Sequence, residues 1–582
     1  MKISKQYLFQ QKKWLKIVFI GLLLVLICLT IGAKSLNPFH LVMFEFHDET
    51  QAGRIHDFLI NLKYGQIPPR LAPTFSFKLG FPVFSFYAPF AYWVTSFIAV
   101  TGIPILTSLK ISFLLTLLLS FLTMYFLLRN FFSFLASCLG AVIYITSTYF
   151  AVEIIIRGNL AEAWYLVLLP LVLSFLYKNS QTQSRRIFFF TVISLFFLFT
   201  VHNIFSLLSL GITIVFSLLL PQKRRNWLAI GLGLLLGAYF LIPATLETGF
   251  TQATKIAPDL FKYHDHFLCW WQLWKADGWQ FGGSMTGCDA DLMSFSLGKI
   301  PLTLGLSGMI LFIVNVFKKK ISLKRKLLFG FVLLISLLAI FLTTYQSSFI
   351  WSMFKPILAL FQFPWRFLIF GMFGLAFFSA FLFDQIKLPL MPIMMIAIII
   401  GSLLIAKKYF VKPEISYEGY TERYLSDFYL EHVIAYNVRE YFPAHGDYQY
   451  WHYLNPLEVK AVPLPFDYQL PVQTTSALRV DKNDYFEKAV YIQGKGLVYI
   501  NVHYAPYWKI LVNGQETIPD KFDRLARPMI RTDQSSQIII RFVQTPLEKI
   551  SNLLTVVTGI IFVVSLFLPK NVNKLFHQKN DR

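Results

Sequence analysis

Charge is scarce in this chain. Only 14% of its 582 side chains are Asp, Glu, Lys or Arg, against roughly 25% in soluble domains, and an ordinary soluble protein is excluded. Disorder is excluded as well, because disordered segments are poor in aromatics and this chain is 17% Phe, Trp and Tyr. Four cysteines are too few for a disulfide-dense secreted scaffold, and they form no CxxC pair or zinc-type spacing. Glycine, 30 residues without a triplet period, excludes collagen. What is abundant is apolar: 56% hydrophobic residues, 61 of them phenylalanine, gathered into long runs. That is the composition of a polytopic membrane protein.

The formal charge of +22 invites nucleic acid as a partner, but its distribution argues against it. Basic residues cluster in short segments between apolar runs: Lys2 to Lys16, Lys178 with Arg185 and Arg186, Lys223 to Arg225, Lys318 to Lys326, and Lys570 to Arg582. Such clusters mark cytoplasmic loops. With Arg129 and Lys387 they hold 23 basic residues, against Asp384 and Asp581 on the same side, and 29 of the 31 acidic residues fall on the other. The charge reports topology, and no nucleic-acid partner is expected.

A spanning helix needs about 20 mostly apolar residues. The runs predict spans near 15–33, 104–127, 132–150, 162–177, 187–201, 204–220, 227–243, 300–317, 327–344, 367–384, 389–406 and 550–568. The segment 84–100 is ambiguous, and a thirteenth span is the competing count. Read as interfacial or re-entrant, it leaves every basic cluster inside. The expectation is an all-α bundle of about 12 spans in the cell membrane, multi-pass, with both termini cytoplasmic. Residues 1–406 form its membrane domain, with a large first outer loop (34–101) and a central outer loop (244–299). Residues 407–548 form an extracytoplasmic β-rich domain, and 549–582 a final span and basic tail. In the β-rich domain, alternating runs such as 497–502 and 509–512, followed by Asn513-Gly514, predict strands and a hairpin. Cys269 and Cys288 share the exported central loop, where a disulfide persists if it forms.

Three polar clusters stand at the expected outer edge. The first loop carries His47, Asp48, Glu49, Arg54, His56, Asp57 and Arg70; composition alone favours a solvated loop there. Glu153, Arg157 and Glu162 lie between two apolar runs, and Gln362 to Arg366 heads another. Ionisable groups at membrane depth are costly and are usually functional or paired. Arg157 can simply pair with Glu162 and Arg366 can snorkel, yet arginine is also a strong phosphate ligand. His202 reads as a helix cap or as a substrate ligand. Trp270, Trp271, Trp274 and Trp279 suit either sugar stacking or an interfacial belt.

These residues resemble the GT-C superfamily of polytopic glycosyltransferases, and within it the membrane proteins labelled 6-pyruvoyl-tetrahydropterin synthase-related. The resembling pieces are His47 to Glu49 with His56, Gly65 to Arg70, Phe84 to Pro89, Arg157 to Glu162, His202-Asn203 and Pro243 to Glu247. They continue with His266-Phe267, Gln272 to Trp274 and Gln362 to Arg366, and Tyr504 to Ile510 resembles the exterior β-domain of related enzymes. Nothing resembles the three-histidine zinc site of the soluble pterin synthase, so that label carries no activity here. The resemblance implies transfer of a sugar from a polyprenyl-phosphate-linked donor to a glycan or protein acceptor at the extracytoplasmic face, by an inverting single displacement among membrane lipids. Asp48 is then the general base with Glu49 second, and Arg157 and Arg366 meet the leaving phosphate, with Arg54 and Arg70 weaker candidates. His47, His56, Glu162 and His202 complete the substrate-binding set. No metal ligands are assigned, although the family leaves room for a divalent cation.

Two other readings compete. A transporter or flippase of lipid-linked glycans needs ionisable residues near the bilayer midplane, where this chain has few: Lys110 lies near one end of its run and Asp384 at a boundary. A non-catalytic membrane scaffold with a glycan-binding outer domain is the third.

Overall fold

Apolar runs bounded by basic or Gly/Pro-containing segments become helices in the computed structural model, which describes residues 2–253, 255–256, 262–275, 283–289, 291–454 and 464–567. Trp279 and the basic tail lie outside the described residues. Among the described residues, eight helices are long and apolar enough to cross a membrane: Lys13–Thr30, Ile105–Leu128, Leu160–Gln181, Lys299–Phe317, Leu323–Leu342, Pro364–Gln385, Met391–Phe410 and Pro546–Phe567.

The expected count of 12 is not reached. Two expected spans are broken, Phe134–Ile145 with Thr148–Ile156 bent by 53° and Lys223–Leu236 with Ala238–Leu246 bent by 69°, and counting each pair as one span gives at most ten. The other two are the helices Arg185–Phe199 and Asn203–Leu218, of 15 and 16 residues. At ~1.5 Å per residue they reach about 22–24 Å, short of the ~30 Å hydrocarbon core. Helix Phe90–Val100, with 11 residues, is shorter still.

The chain divides into two compact units. The first comprises Met1–Glu49, Thr101–Ser174 and Lys262–Tyr420. Its centre is the helix Leu368–Gln385, packed by Lys299–Phe317, Phe134–Ile145 and Leu323–Leu342. Close approach depends on glycine: a Cβ on Gly308 would stand 2.0 Å from the Phe378 carbonyl oxygen, and one on Gly305 would stand 2.7 Å from the Leu375 Cα. Where lipid surrounds the bundle, such backbone proximity replaces the hydrophobic drive that joins helices in water. In the same unit, strands β1 (Val42–Phe44) and β2 (Glu414–Ser416) form a two-stranded antiparallel sheet with Val42 opposite Ser416.

The second unit comprises Thr50–Val100, Phe175–Phe261 and Thr421–Arg582. Here the first-loop segment that composition reads as solvated is instead the helix Gln51–Lys63, with Arg54, Asp57 and Asn61 buried. The β-rich region holds β3 (Val472–Thr474), β4 (Ala477–Asn483), β5 (Glu487–Gln493), β6 (Gly496–Ile500), β7 (Trp508–Val512), β8 (Gln515–Glu516), β9 (Lys521–Phe522), β10 (Pro528–Thr532) and β11 (Ser536–Phe542). They form a four-stranded sheet, β3-β6-β10-β9, and a five-stranded sheet, β4-β5-β11-β7-β8. Val498, Ile500 and Ile530 of one sheet share a core with Val490, Ile510, Ile538 and Ile540 of the other, so the expected β-rich region is a two-sheet sandwich. Asn513 and Gly514 both take positive φ, 51° and 80°, and close the β7–β8 hairpin as the dipeptide predicts.

Gly308→Ala places a methyl against backbone that cannot yield, and overpacking of this kind costs about 1–3 kcal/mol. The expected result is a lower thermal midpoint of the detergent-solubilised protein. Gly330→Ala, whose Cβ meets nothing within 4 Å, should leave the midpoint unchanged or raise it.

Candidate functional site

The segment His47–Glu49 is fixed by its backbone before any side chain acts. β1 precedes it, and the Lys110 ammonium donates to the carbonyls of His40 and Val42 at 2.8 Å each. The amides of His47 and Asp48 then donate to the carbonyls of Ile156 and Arg157, both at 2.8 Å. Those carbonyls belong to a stretch that leaves regular α-helix: Val152–Ile156 is a π-turn, a deviation that often accompanies functional sites. Gly158 follows at φ 60°, and a Cβ there would fall 2.2 Å from the Phe46 ring. Glycine is required on both counts. Asn159 then caps Leu160–Gln181, its Oδ1 accepting from the Glu162 amide at 3.0 Å.

The side chains meet as a buried ionic cluster. Arg157 Nη1 donates to Glu153 Oε2 at 2.6 Å and to Glu162 Oε2 at 2.7 Å, and Nη2 donates to Glu162 Oε1 at 2.9 Å. From the other side Arg366 Nε lies 3.1 Å from Glu162 Oε1. Its Nη1 donates to the Phe361 carbonyl at 3.0 Å and to Gln362 Oε1 at 2.8 Å; Nη2 makes no hydrogen bond among the described residues. Gln362 itself sits at φ 64°, a costly conformation for a non-glycine residue. The Arg157 guanidinium lies over the Trp365 ring, 4.7 Å from its centroid. Three buried atoms of the cluster, Glu153 Oε1, Tyr149 Oη and Arg366 Nε, complete no well-aligned hydrogen bond to a described residue.

Trp365 leads to groups that the candidate set did not include. Its Nε1 donates to Ser284 Oγ at 3.0 Å, and Ser284 Oγ is 2.6 Å from His266 Nδ1. An indole N–H only donates, so the serine oxygen accepts from Trp365. Burial lowers the His266 pKa below 6.5 and favours its neutral ring. Gly283, one residue earlier, places its hypothetical Cβ 4.0 Å from His47 Nε2. Trp365 and His266 belonged to pieces singled out in the sequence, as did Glu153; nothing local marked Ser284 or Tyr149.

Asp48 is the carboxylate of this cluster that solvent reaches. Its side chain is 28% exposed, whereas Glu153 and Glu162 are wholly buried. His47, 48% exposed, places Nδ1 3.4 Å from Asp48 Oδ1. That contact raises the His47 pKa above 6.5 against the opposing effect of burial, helped by the charges of Asp48 and Glu49. Burial works against the Asp48 carboxylate, but the His47 bond and the Arg157 charge together outweigh it and hold its pKa below 3.8. Asp48 is therefore ionised at neutral pH. Glu49 is half-buried beside it.

The remaining candidates fall in the second unit. Arg54 Nη1 donates to Tyr92 Oη at 2.9 Å and its guanidinium lies over Tyr87. His56 Nδ1 is 3.0 Å from Asp57 Oδ1, and Asp57 also accepts from the amide and hydroxyl of Thr74. Arg70 pairs with Glu548 at 3.3 Å and donates to the Tyr239 carbonyl at 2.7 Å. His202 accepts from the Phe205 amide at 3.3 Å, as the helix-cap reading expects. Cys269 and Cys288 are disulfide-bonded. Among the described residues, no group of three or more His, Cys, Asp or Glu side chains is placed to hold a metal ion.

Residues 84–288 match a family model described as "6-pyruvoyl-tetrahydropterin synthase related domain; membrane protein". The chain is a membrane protein. The match takes in Glu153, Arg157, Glu162 and His266 and stops short of both Asp48 and Arg366. No curated protein matches the chain.

Two outcomes are expected from this geometry. Glu162→Gln removes the charge that two buried guanidiniums share, and breaking a buried pair costs about 3–5 kcal/mol, read as lost folded yield or a lower thermal midpoint. His47 holds its proton more tightly when folded, so its pairing stabilises the protein below the unfolded value of 6.5. That contribution is lost as pH rises above 6.5 through the folded value. The midpoint difference between wild type and His47→Gln should be larger at about pH 5.5 than at about pH 9.

Proposed function

We propose that the chain is a membrane glycosyltransferase that moves a sugar from a polyprenyl-phosphate-linked donor to an acceptor at the extracytoplasmic face. The single observation that carries the reading is Asp48: an ionised carboxylate reached by solvent, fixed through its own backbone to the Arg157 carbonyl, at the edge of a buried guanidinium cluster between apolar helices. A base must reach the proton that it removes, and a positioned carboxylate that solvent reaches meets that need for an acceptor hydroxyl. The acceptor oxygen attacks the anomeric carbon, its proton goes to Asp48, and the bond to the donor phosphate breaks with inversion.

The roles of the two arginines separate. Arg157 spends both terminal nitrogens on Glu153 and Glu162, so it sets the field at Asp48 and is not free to hold phosphate. Arg366 Nη2 is the donor left for the leaving oxyanion, whose developing charge needs such stabilisation. Two guanidiniums face the Asp48 and Glu162 carboxylates as well as the Glu153 side chain, and the cluster offers no excess positive field. A singly charged phosphodiester suits it better than a pyrophosphate. Extracytoplasmic placement rests on the basic clusters of the opposite loops.

Asp48→Asn should lower sugar transfer from polyprenyl-phosphate sugars by about 10²–10⁴-fold in membranes with normal protein levels, the usual worth of a positioned base. Wild-type membranes that transfer no sugar from any such donor, or an Asp48→Asn variant as active as wild type, would overturn the reading.

A further inference from the structure

The loop closed by Cys269 and Cys288 has two faces. One meets the charged cluster through Gly283 and Ser284. The other displays three tryptophans that nothing in the proposed chemistry uses: Trp270, Trp271 and Trp274 are 48%, 41% and 46% exposed, beside exposed Met285 and Leu292. Three neighbouring indoles left open are an interaction surface.

Its partner can be read from what surrounds it. Lys299, the first residue of the spanning helix Lys299–Phe317, places its ammonium 5.9 Å from the Trp274 ring centroid, and Lys275 lies 5.5 Å from that of Trp271. The platform therefore stands at the level where the hydrocarbon run begins, the depth at which amphipathic indoles collect. The two ammonium groups match the phosphates of anionic headgroups.

The platform is also stiff. Gln272 Oε1 accepts from the Cys269 amide at 2.7 Å while its Nε2 donates to Asp291 Oδ2 at 2.6 Å. Asp291 Oδ1 accepts from the Met285 amide at 2.7 Å, and the Gly287 amide donates to Tyr345 Oη at 3.0 Å. The indoles are held outward by a fixed frame and do not fold back onto the loop.

We propose that Trp270, Trp271 and Trp274, with Lys275 and Lys299, dock on the headgroup region of anionic phospholipid, and that this contact fixes the wall formed by Gly283 and Ser284 against the charged cluster. The proposal stands apart from the transferase reading: it needs a bilayer, not a sugar.

The test uses the full-length protein in nanodiscs of phosphatidylglycerol and phosphatidylcholine whose acyl chains are brominated close to the headgroup. Bromine quenches indoles at that depth. The Trp270→Phe/Trp271→Phe/Trp274→Phe protein should lose about a quarter of the total emission, three of the chain's 12 tryptophans, if each fluoresces similarly, and a larger share of the emission that bromine quenches. Lys275→Gln/Lys299→Gln, which leaves the indoles in place, should reduce quenching in discs with phosphatidylglycerol more than in pure phosphatidylcholine. Equal quenching of wild type and the triple variant would overturn the proposal. So would protection of these indoles from oxidation by added soluble oligosaccharide without any lipid quenching, because that result would make the face a glycan platform. If the triple variant folds poorly, iodide accessibility of the wild-type indoles in detergent and in nanodiscs decides the matter: no loss of accessibility on entering the bilayer sinks it.

Discussion

Glu162 is the constraint on which the site depends. It sits in the first turn of a spanning helix and takes both terminal nitrogens of Arg157 while facing Arg366 Nε. In a low-dielectric surround an unpaired guanidinium is costly enough that such charges persist only when paired. One carboxylate thereby ties together three chain segments: the π-turn before Arg157, the head of helix Leu160–Gln181, and the Gln362–Arg366 turn. The N-terminal end of the helix further favours its negative charge. Asp48 need not enter this buried exchange. It borrows the resulting field through Arg157 and stays within reach of solvent.

Much of this arrangement was legible because apolar sequence makes every charge conspicuous. Arg157, Glu162 and Arg366 stood out as ions against hydrophobic runs, and the structure joins them; His47 and Asp48 followed from their position after the first run. The β-rich region was equally readable, since strand alternation and Asn513-Gly514 are local signals. The number of spans was less so. A hydropathy run records burial and does not record continuity, so the bends near Thr146 and Gly237 and the short helices Arg185–Phe199 and Asn203–Leu218 resemble full spans in composition. The first-loop helix was misread for the complementary reason: Arg54, Asp57 and Asn61 are polar, yet each is buried by partners far along the chain, such as Tyr92, Thr74 and Leu71. Composition carries no trace of such pairings.

Local backbone departures cluster where the charges meet. The π-turn at Val152–Ile156, the left-handed Gly158 and the positive φ of Gln362 all lie within a few residues of Arg157 or Arg366. Each is unfavourable in isolation, and each turns a polar group that a regular helix would have pointed elsewhere. Gln362 shows the exchange clearly, because its strained backbone is accompanied by a side chain that occupies Arg366 Nη1. Nε lies close to Glu162 without a well-aligned hydrogen bond, and Nη2 makes none among the described residues.

If Arg366 takes the proposed phosphate role, the same arrangement constrains the charge of the ligand. Arginines competing freely for an anion would attract any polyphosphate. Arginines already shared among carboxylates present a directed donor with little net field, and the ionised Asp48 repels excess negative charge. On the proposed transferase reading the cluster selects by charge: a donor with one negative charge gains the Arg366 contact at little electrostatic expense, whereas a second charge meets the Asp48 and Glu162 carboxylates. His266 extends the same logic: burial lowers its pKa, so the ring that meets Ser284 beside Trp365 adds no charge to the balance.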